Sequence, residues 1–261
     1  MSFFDSRRPL IFAHRGGSAL GPENTLAAFD LALQAGADGL ELDVRLSADG
    51  VPVVHHDATL DRTTSHAGPL AAHTADELAH IDAGYRFAVN GGFPFRKRGI
   101  GIPSLRGVLQ TYQGVPIVIE MKVDSAEMGQ AVALDILAAG AVDRVCMAGY
   151  GARSAAAARA ALPGAASSAT HPEVRLAVYR GFARWPVQQV SYGGYQVPER
   201  KGLVRIVSPR FIRDAHRAGL KVQVWTVDDE RDMRRLLDWG VDGLISDRPD
   251  LAVRVRNTCC P

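Results

Sequence analysis

Cysteine is scarce in this chain, with three residues in 261. Cys146 lies in an apolar run and Cys259 adjoins Cys260 at the C-terminal end, so no disulfide framework can be built. A reducing, cytoplasmic setting is the expectation, and the Cys-Cys tail reads as a frayed terminus before a metal or lipid handle. No apolar run approaches the length of a membrane span, and the stretch from Met1 to Arg8 lacks the apolar centre of a secretory signal. An excess of one charge is missing as well. Thirty Lys and Arg against 28 Asp and Glu leave +2, with a pI near 8.5. That balance excludes a nucleic-acid binder by bulk electrostatics. Aromatic residues make up 7% and form no amphipathic stretch rich in Trp or Phe. A small-molecule partner, with no nucleic acid and no stable membrane association, is expected; monomer and dimer both remain open.

What is present is apolar and alternating. Hydrophobic content of 47% suffices for the core of one large domain spanning 1–261. Strand-like runs fall at 10–13, 39–44, 117–122, 144–148, 165–170, 188–192, 221–226 and 243–246. Helical stretches follow at 23–33, with Leu26, Phe29 and Leu33 on one face, and at 126–139, 153–161, 173–184, 209–218 and 230–239. Eight strands, nearly all followed by a helix, predict an α/β fold closed into a (β/α)8 TIM barrel rather than an open sheet.

The strand ends carry the chemistry. His14 and Arg15 close the first run, Glu41 and Asp43 sit in the second, His56 ends Val51-Pro52-Val53-Val54-His55-His56, and Glu120 and Lys122 end another. An ionised side chain in a buried strand is costly unless it is paired or bound to a metal. Residues two apart on a strand share a face, so Glu41 pairs with Asp43 and Glu120 with Lys122. Three converging carboxylates suit a hard cation, Mg²⁺, Ca²⁺ or Mn²⁺. The competing reading is a salt-bridged layer neutralised by Arg15, Arg45 and Lys122. His14 and His56 fit zinc ligation, acid–base catalysis or satisfied core positions, and their company of carboxylates favours catalysis. Arg15 and Lys122 suit an anion, phosphate above all.

Asp49-Gly50 between alternating runs signals a hairpin with a two-residue type I′ turn. Pairing Ala48 with Val51 sets Asp43 opposite His56, with His56 on the face of the acids and His55 turned outward beneath the next segment. That segment, about 57–102, is rich in Gly, His and Asp and reads as a small insertion after the second-strand hairpin, either over the mouth of the site or decorative.

Six motifs in order make the chain resemble the glycerophosphodiester phosphodiesterase family. They are His14-Arg15-Gly16 with Pro22-Glu23-Asn24-Thr25; Glu41-Leu42-Asp43-Val44; His56-Asp57 with Leu60 and Arg62-Thr63-Thr64; Glu120-Met121-Lys122; Val224-Trp225-Thr226-Val227; and Asp242-Gly243-Leu244-Ile245-Ser246-Asp247-Arg248-Pro249. The resemblance implies a (β/α)8 barrel hydrolysing glycerophosphodiesters to glycerol 3-phosphate and an alcohol. It also implies one divalent cation on Glu41, Asp43 and Glu120, and His14 and His56 as the acid–base pair. Arg15 and Lys122 would hold phosphate, and Trp225 would wall the pocket or else pack in the core. Asp228 departs from the family's usual Asn. The rivals are a lysophospholipase D-like enzyme, a Schiff-base aldolase using Lys122, and a binding barrel without activity.

Overall fold

The computed structural model describes residues 3–4, 6, 8–149, 151–183 and 190–259. In chain order the elements are β1 (Leu10–Ala13), α1 (Leu26–Gln34), β2 (Gly39–Leu46), β3 (Pro52–Val54), α2 (Ala75–Ala79), α3 (Leu105–Thr111), β4 (Ile117–Met121), α4 (Ala126–Ala138), β5 (Val145–Gly149), α5 (Ala152–Ala161) and β6 (Ala166–Ser167). There follow α6 (His171–Ala183), β7 (Gly194–Pro198), β8 (Arg200–Lys201), β9 (Val204–Arg205), α7 (Pro209–Arg217), β10 (Lys221–Trp225), α8 (Glu230–Asp238), β11 (Gly243–Ser246) and α9 (Pro249–Cys259). Side chains mark several starts: Thr25, Ser104, Ser125, Ser208 and Asp229 each accept a hydrogen bond from a first-turn backbone N–H. Thr25 therefore begins α1 later than the apolar pattern suggests, and Leu26 is exposed while Ala28, Phe29 and Ala32 are buried.

Parallel pairing runs in the order β6-β5-β4-β2-β1-β11-β10-β7, and a parallel bridge from Ser168 to Gly194 joins its two edges. The result is the predicted (β/α)8 barrel. Alternation divides the side chains. Leu40, Leu42, Val44, Ile117 and Ile119 face outward under α1, α3 and α4, and Val222, Val224 and Leu244 do so among residues of α7, α8 and α9. Phe12, Val118, Cys146, Ala148 and Ile245 fill the interior. Phe3 stacks on Phe12, with ring centroids 5.6 Å apart.

Two expectations are corrected. The strand expected at 188–192 lies at Gly194–Pro198; residues 188–189 fall outside the described residues. Glycine reads as a breaker, yet a Cβ on Gly194 would lie 2.8 Å from the Lys221 carbonyl oxygen, so its absence permits the first rung of the ladder. The β2–β3 hairpin is also one residue out of the expected register. Val44 pairs with Val54 and Leu46 with Pro52, and His55 N–H donates to the Asp43 carbonyl. Gly50 N–H bonds the Ser47 carbonyl, with Gly50 left-handed at φ 76°, so the loop holds three residues instead of two.

The insertion has a small apolar cluster of its own, built from Val53, Leu60, Leu70, Leu78, Ile81, Ala83 and Ile102. It is tied to the hairpin, where Ala48 N–H donates to the His73 carbonyl and Ala75 N–H to Asp49.

Candidate active site

Glu41 and Asp43 on β2 point into the barrel, and the β2–β4 ladder sets Asp43 beside Glu120. One carboxylate oxygen from each of the three lies within 4.8 Å of the others. Two side-chain cations serve this trio. Lys122 Nζ is 3.0 Å from Asp43 and 3.1 Å from Glu120, and Arg15 Nε is 3.2 Å from Asp43. The salt-bridged reading is thus half realised, and Arg45 forms no ion pair with the trio: its Nε donates to the His56 carbonyl at 2.7 Å, and Asp43 acts on it only at longer range. Glu41 is left with the Arg15 backbone N–H at 2.9 Å and the His14 imidazole Nε2 at 4.0 Å. Burial, then the neighbouring charge of Asp43, pushes Glu41 well above the usual carboxylate range. Asp43 goes the other way. Burial opposes its charge, but Lys122 and Arg15 hold it below its ordinary value. Its Oδ1 is buried without a properly directed hydrogen bond, since Lys122 approaches at ion-pair distance off that direction. Three hard oxygen donors, one of them without a directed partner and another reached only by a backbone N–H and, at 4.0 Å, by the His14 imidazole, fit a divalent ion.

The loop after β1 positions the remaining groups at a conformational cost. Arg15 is left-handed at φ 51°, which aims its N–H at Glu41. Gly16 at φ 83° follows, where a Cβ would sit 2.5 Å from the Phe29 ring. Asn24, also left-handed, donates from Nδ2 to Asp43 and accepts the Asp43 N–H. Glu23 receives both Arg15 and Arg62, and Arg62 from the insertion also grips Asp57.

Each proposed catalytic histidine has an aspartate on Nδ1. His14 meets Asp247 at 2.7 Å and His56 meets Asp57 at 2.6 Å. Burial alone would lower His14, but the Asp247 hydrogen bond and the charges of Glu41 and Asp247 raise it to about 9. Asp247 and Asp57 lie inside the motifs but carry no role on sequence grounds: Asp247 meets His14 only through the tertiary fold, and Asp57 adjoins His56, where adjacency alone does not fix which ring nitrogen it holds. Asp228, the family departure, accepts the Asp247 N–H and the Ser246 hydroxyl, so it stands one contact from the His14 dyad.

The structure separates the neighbouring histidines differently from the expected pairing. His55, not His56, stands opposite Asp43 in the ladder; it is buried and its Nε2 lies 3.2 Å from the Thr59 carbonyl in the insertion. β3 ends at Val54, so strand alternation does not extend to His56. Trp225 ends β10 two residues beyond the inward Gln223 and is 40% exposed, which excludes a core position.

Ionisable groups gathered at the carboxyl ends of strands in a closed eight-stranded barrel define a (β/α)8-barrel enzyme. The chain belongs to the glycerophosphoryl diester phosphodiesterase family, whose profile matches residues 14–251. It is 30% identical over 254 residues to a glycerophosphodiester phosphodiesterase of Caldanaerobacter subterraneus subsp. tengcongensis, covering 95% of this chain and 98% of that one. A Bacillus altitudinis enzyme of the same name is 32% identical, covering 94% and 97%. Among solved structures, the glycerophosphodiester phosphodiesterase of Agrobacterium tumefaciens is 32% identical with a TM-score of 0.76, covering 95% of this chain and 99% of that one. The corresponding domain of an uncharacterized Mycobacterium tuberculosis protein superposes with a TM-score of 0.82 at 26% identity, covering 95% and 99%.

Proposed function

We propose that the protein hydrolyses glycerophosphodiesters to sn-glycerol 3-phosphate and an alcohol, with His14 and His56 as the acid–base pair and one hard divalent cation, Mg²⁺, Ca²⁺ or Mn²⁺, on Glu41, Asp43 and Glu120. The observation that carries this reading is the carboxylate trio, flanked by Arg15, Lys122 and the Asp247-bound His14. A bound cation supplies positive charge to a phosphodiester that otherwise repels nucleophiles. Arg15 and Lys122 add fixed positive charge for the non-bridging oxygens. With Nδ1 held by aspartate, each imidazole presents Nε2 for proton transfer. One accepts the proton of the nucleophile while the other protonates the leaving alkoxide, and the two exchange roles in a second step. The substrate's glycerol 2-hydroxyl serves as nucleophile, giving a cyclic phosphate that water opens. Trp225 offers an apolar wall to the substrate.

The Schiff-base alternative is disfavoured by Lys122 itself: burial lowers it, but Asp43 and Glu120 outweigh burial and keep it charged. A coupled glycerol 3-phosphate assay tests the main reading. Chelation should abolish turnover and a hard cation restore it, whereas full activity in chelator-treated enzyme would overturn the metal assignment. A 2-deoxyglycerol analogue should bind yet turn over very slowly; equal turnover would favour direct attack by water. A lysophospholipid diester in the same panel separates the lysophospholipase D-like alternative.

A further inference from the structure

Two exposed loops carry the same unusual pattern. The first is the β8–β9 hairpin that follows β7, whose last residue, Pro198, pairs with Trp225. Its tip, Leu203, is 99% exposed, and Val204 beside it is 48% exposed. Three cations belong to the hairpin: Arg200, Lys201, whose Nζ meets the His171 imidazole Nε2 at 2.6 Å, and Arg205, whose Nε lies 3.6 Å from Glu199 and whose guanidinium lies over the Trp239 ring. The one acid at its root, Glu199, is taken mainly by both guanidinium nitrogens of Arg235 at 2.8 Å, with the hairpin's Arg205 farther off at 3.6 Å. The Glu199 carbonyl also accepts Ile206 N–H and Val207 N–H, so the hairpin stands on a closed stem.

The second loop belongs to the insertion. Val89 and Gly92 exchange backbone hydrogen bonds across Asn90-Gly91, projecting Val89 and Phe93, 45% and 43% exposed. Residues 84–99 contain Arg86, Arg96, Lys97 and Arg98 and no acid. Arg96 is sandwiched between Tyr85 and Phe93, 4.1 and 3.7 Å from the ring centroids. Arg86 N–H and Nε reach the Thr63 and Thr64 carbonyls, next to the Arg62 that grips Glu23 and Asp57.

Exposed aliphatic and aromatic tips on acid-poor, cation-rich stems match one surface chemistry, apolar beneath and anionic above. We propose that these two loops dock the enzyme reversibly on anionic lipid bilayers, with Leu203, Val204, Val89 and Phe93 entering the interface and the neighbouring Arg and Lys side chains meeting lipid phosphates. Two short tips and a few cations give peripheral, salt-sensitive binding, consistent with the finding that no helix among the described residues is long and apolar enough to cross a membrane. This binding is read without turnover, so it stands or falls separately from the proposed reaction.

Co-sedimentation with vesicles of phosphatidylcholine, and of phosphatidylcholine with phosphatidylglycerol in equal parts, tests the proposal. The full chain should bind the anionic vesicles at low salt, release as salt rises, and bind the neutral vesicles weakly. Leu203→Glu with Val204→Glu should lower anionic-vesicle binding by about tenfold or more, since it replaces two inserted side chains by charges. Phe93→Glu should act in the same direction, and turnover of a water-soluble glycerophosphodiester should be unchanged in both variants. Both sets of residues are solvent-exposed, and a retained melting temperature verifies folding. Absence of wild-type binding to anionic vesicles, or binding equal in wild type and both variants, overturns the proposal. A dimer dissolved by Leu203→Glu, with no vesicle binding, likewise overturns it in favour of self-association.

Discussion

At the scale of single residues, the proposed catalytic groups are set by their partners. His14 presents Nε2 toward Glu41 because Asp247 holds its other nitrogen, and Asp228 holds the Asp247 backbone. Asp247→Asn should therefore lower kcat by about 10²–10⁴-fold with a smaller change in KM. Removing that carboxylate takes away influences that raise His14 to about 9, so the limb of the pH–rate profile belonging to His14 should move to lower pH. A merely structural role for Asp247 would leave the limb in place. His56→Ala is expected to cost about 10²–10⁴ in rate. His55→Ala should change turnover by less than about tenfold and instead lower stability by about 1–2 kcal/mol, through loss of a buried ring and its Thr59 contact. Thermal melts beside rate measurements separate the two effects. Glu120→Gln should weaken metal-induced thermal stabilisation, a readout independent of catalysis.

At the scale of elements, the β2–β3 hairpin shows how a correct motif can yield a wrong register. Asp49-Gly50 marks a hairpin, but local sequence does not choose between two- and three-residue loops with Gly in the left-handed region. Ser47 helps select the longer loop: its hydroxyl meets the Val51 carbonyl and the Asp49 carboxylate, and accepts the Val51 N–H. A Cβ on Gly50 would meet nothing within 4 Å, so Gly50→Ala isolates the backbone cost of φ 76°. Chemical denaturation should register a loss of about 1 kcal/mol with turnover intact.

At the scale of the whole molecule, barrel closure rests on its shortest seam. β6 contributes two laddered residues, and beyond them the Ser168–Gly194 bridge carries the sheet across to β7. Arg159 of α5 reinforces this region, reaching the Ser167 hydroxyl, the Ser168 carbonyl and both oxygens of Glu173 on α6. Burial would raise Glu173, but Arg159 and the Thr170 hydrogen bonds bring it below its ordinary value. A depressed folded pKa means that the contribution is present above the unfolded Glu value and is lost as pH falls through the folded one. Glu173→Gln should thus destabilise the protein by about 1.5–3 kcal/mol at neutral pH. The gap between variant and wild type in unfolding free energy should close as pH drops below the normal Glu range; a gap independent of pH would mean that Glu173 acts by packing alone.

Sequence by itself determined what periodicity and residue chemistry encode. Apolar runs such as Leu10–Ala13 and Gly243–Ser246 declared their strands, repeated alternation declared the barrel, and the costly acids of β2 and β4 declared a site. These are local signals, carried within one turn or one strand. Tertiary structure alone decided the remainder. It assigned Asp247 to His14 across 233 positions of chain, shifted the hairpin by one residue, and moved a strand to Gly194, where a glycine's missing side chain admits its neighbour. It also turned dispersed Leu, Val and Phe residues into exposed tips among cations. Such outcomes depend on which distant surfaces meet, and the free energy of that meeting is written in no single segment.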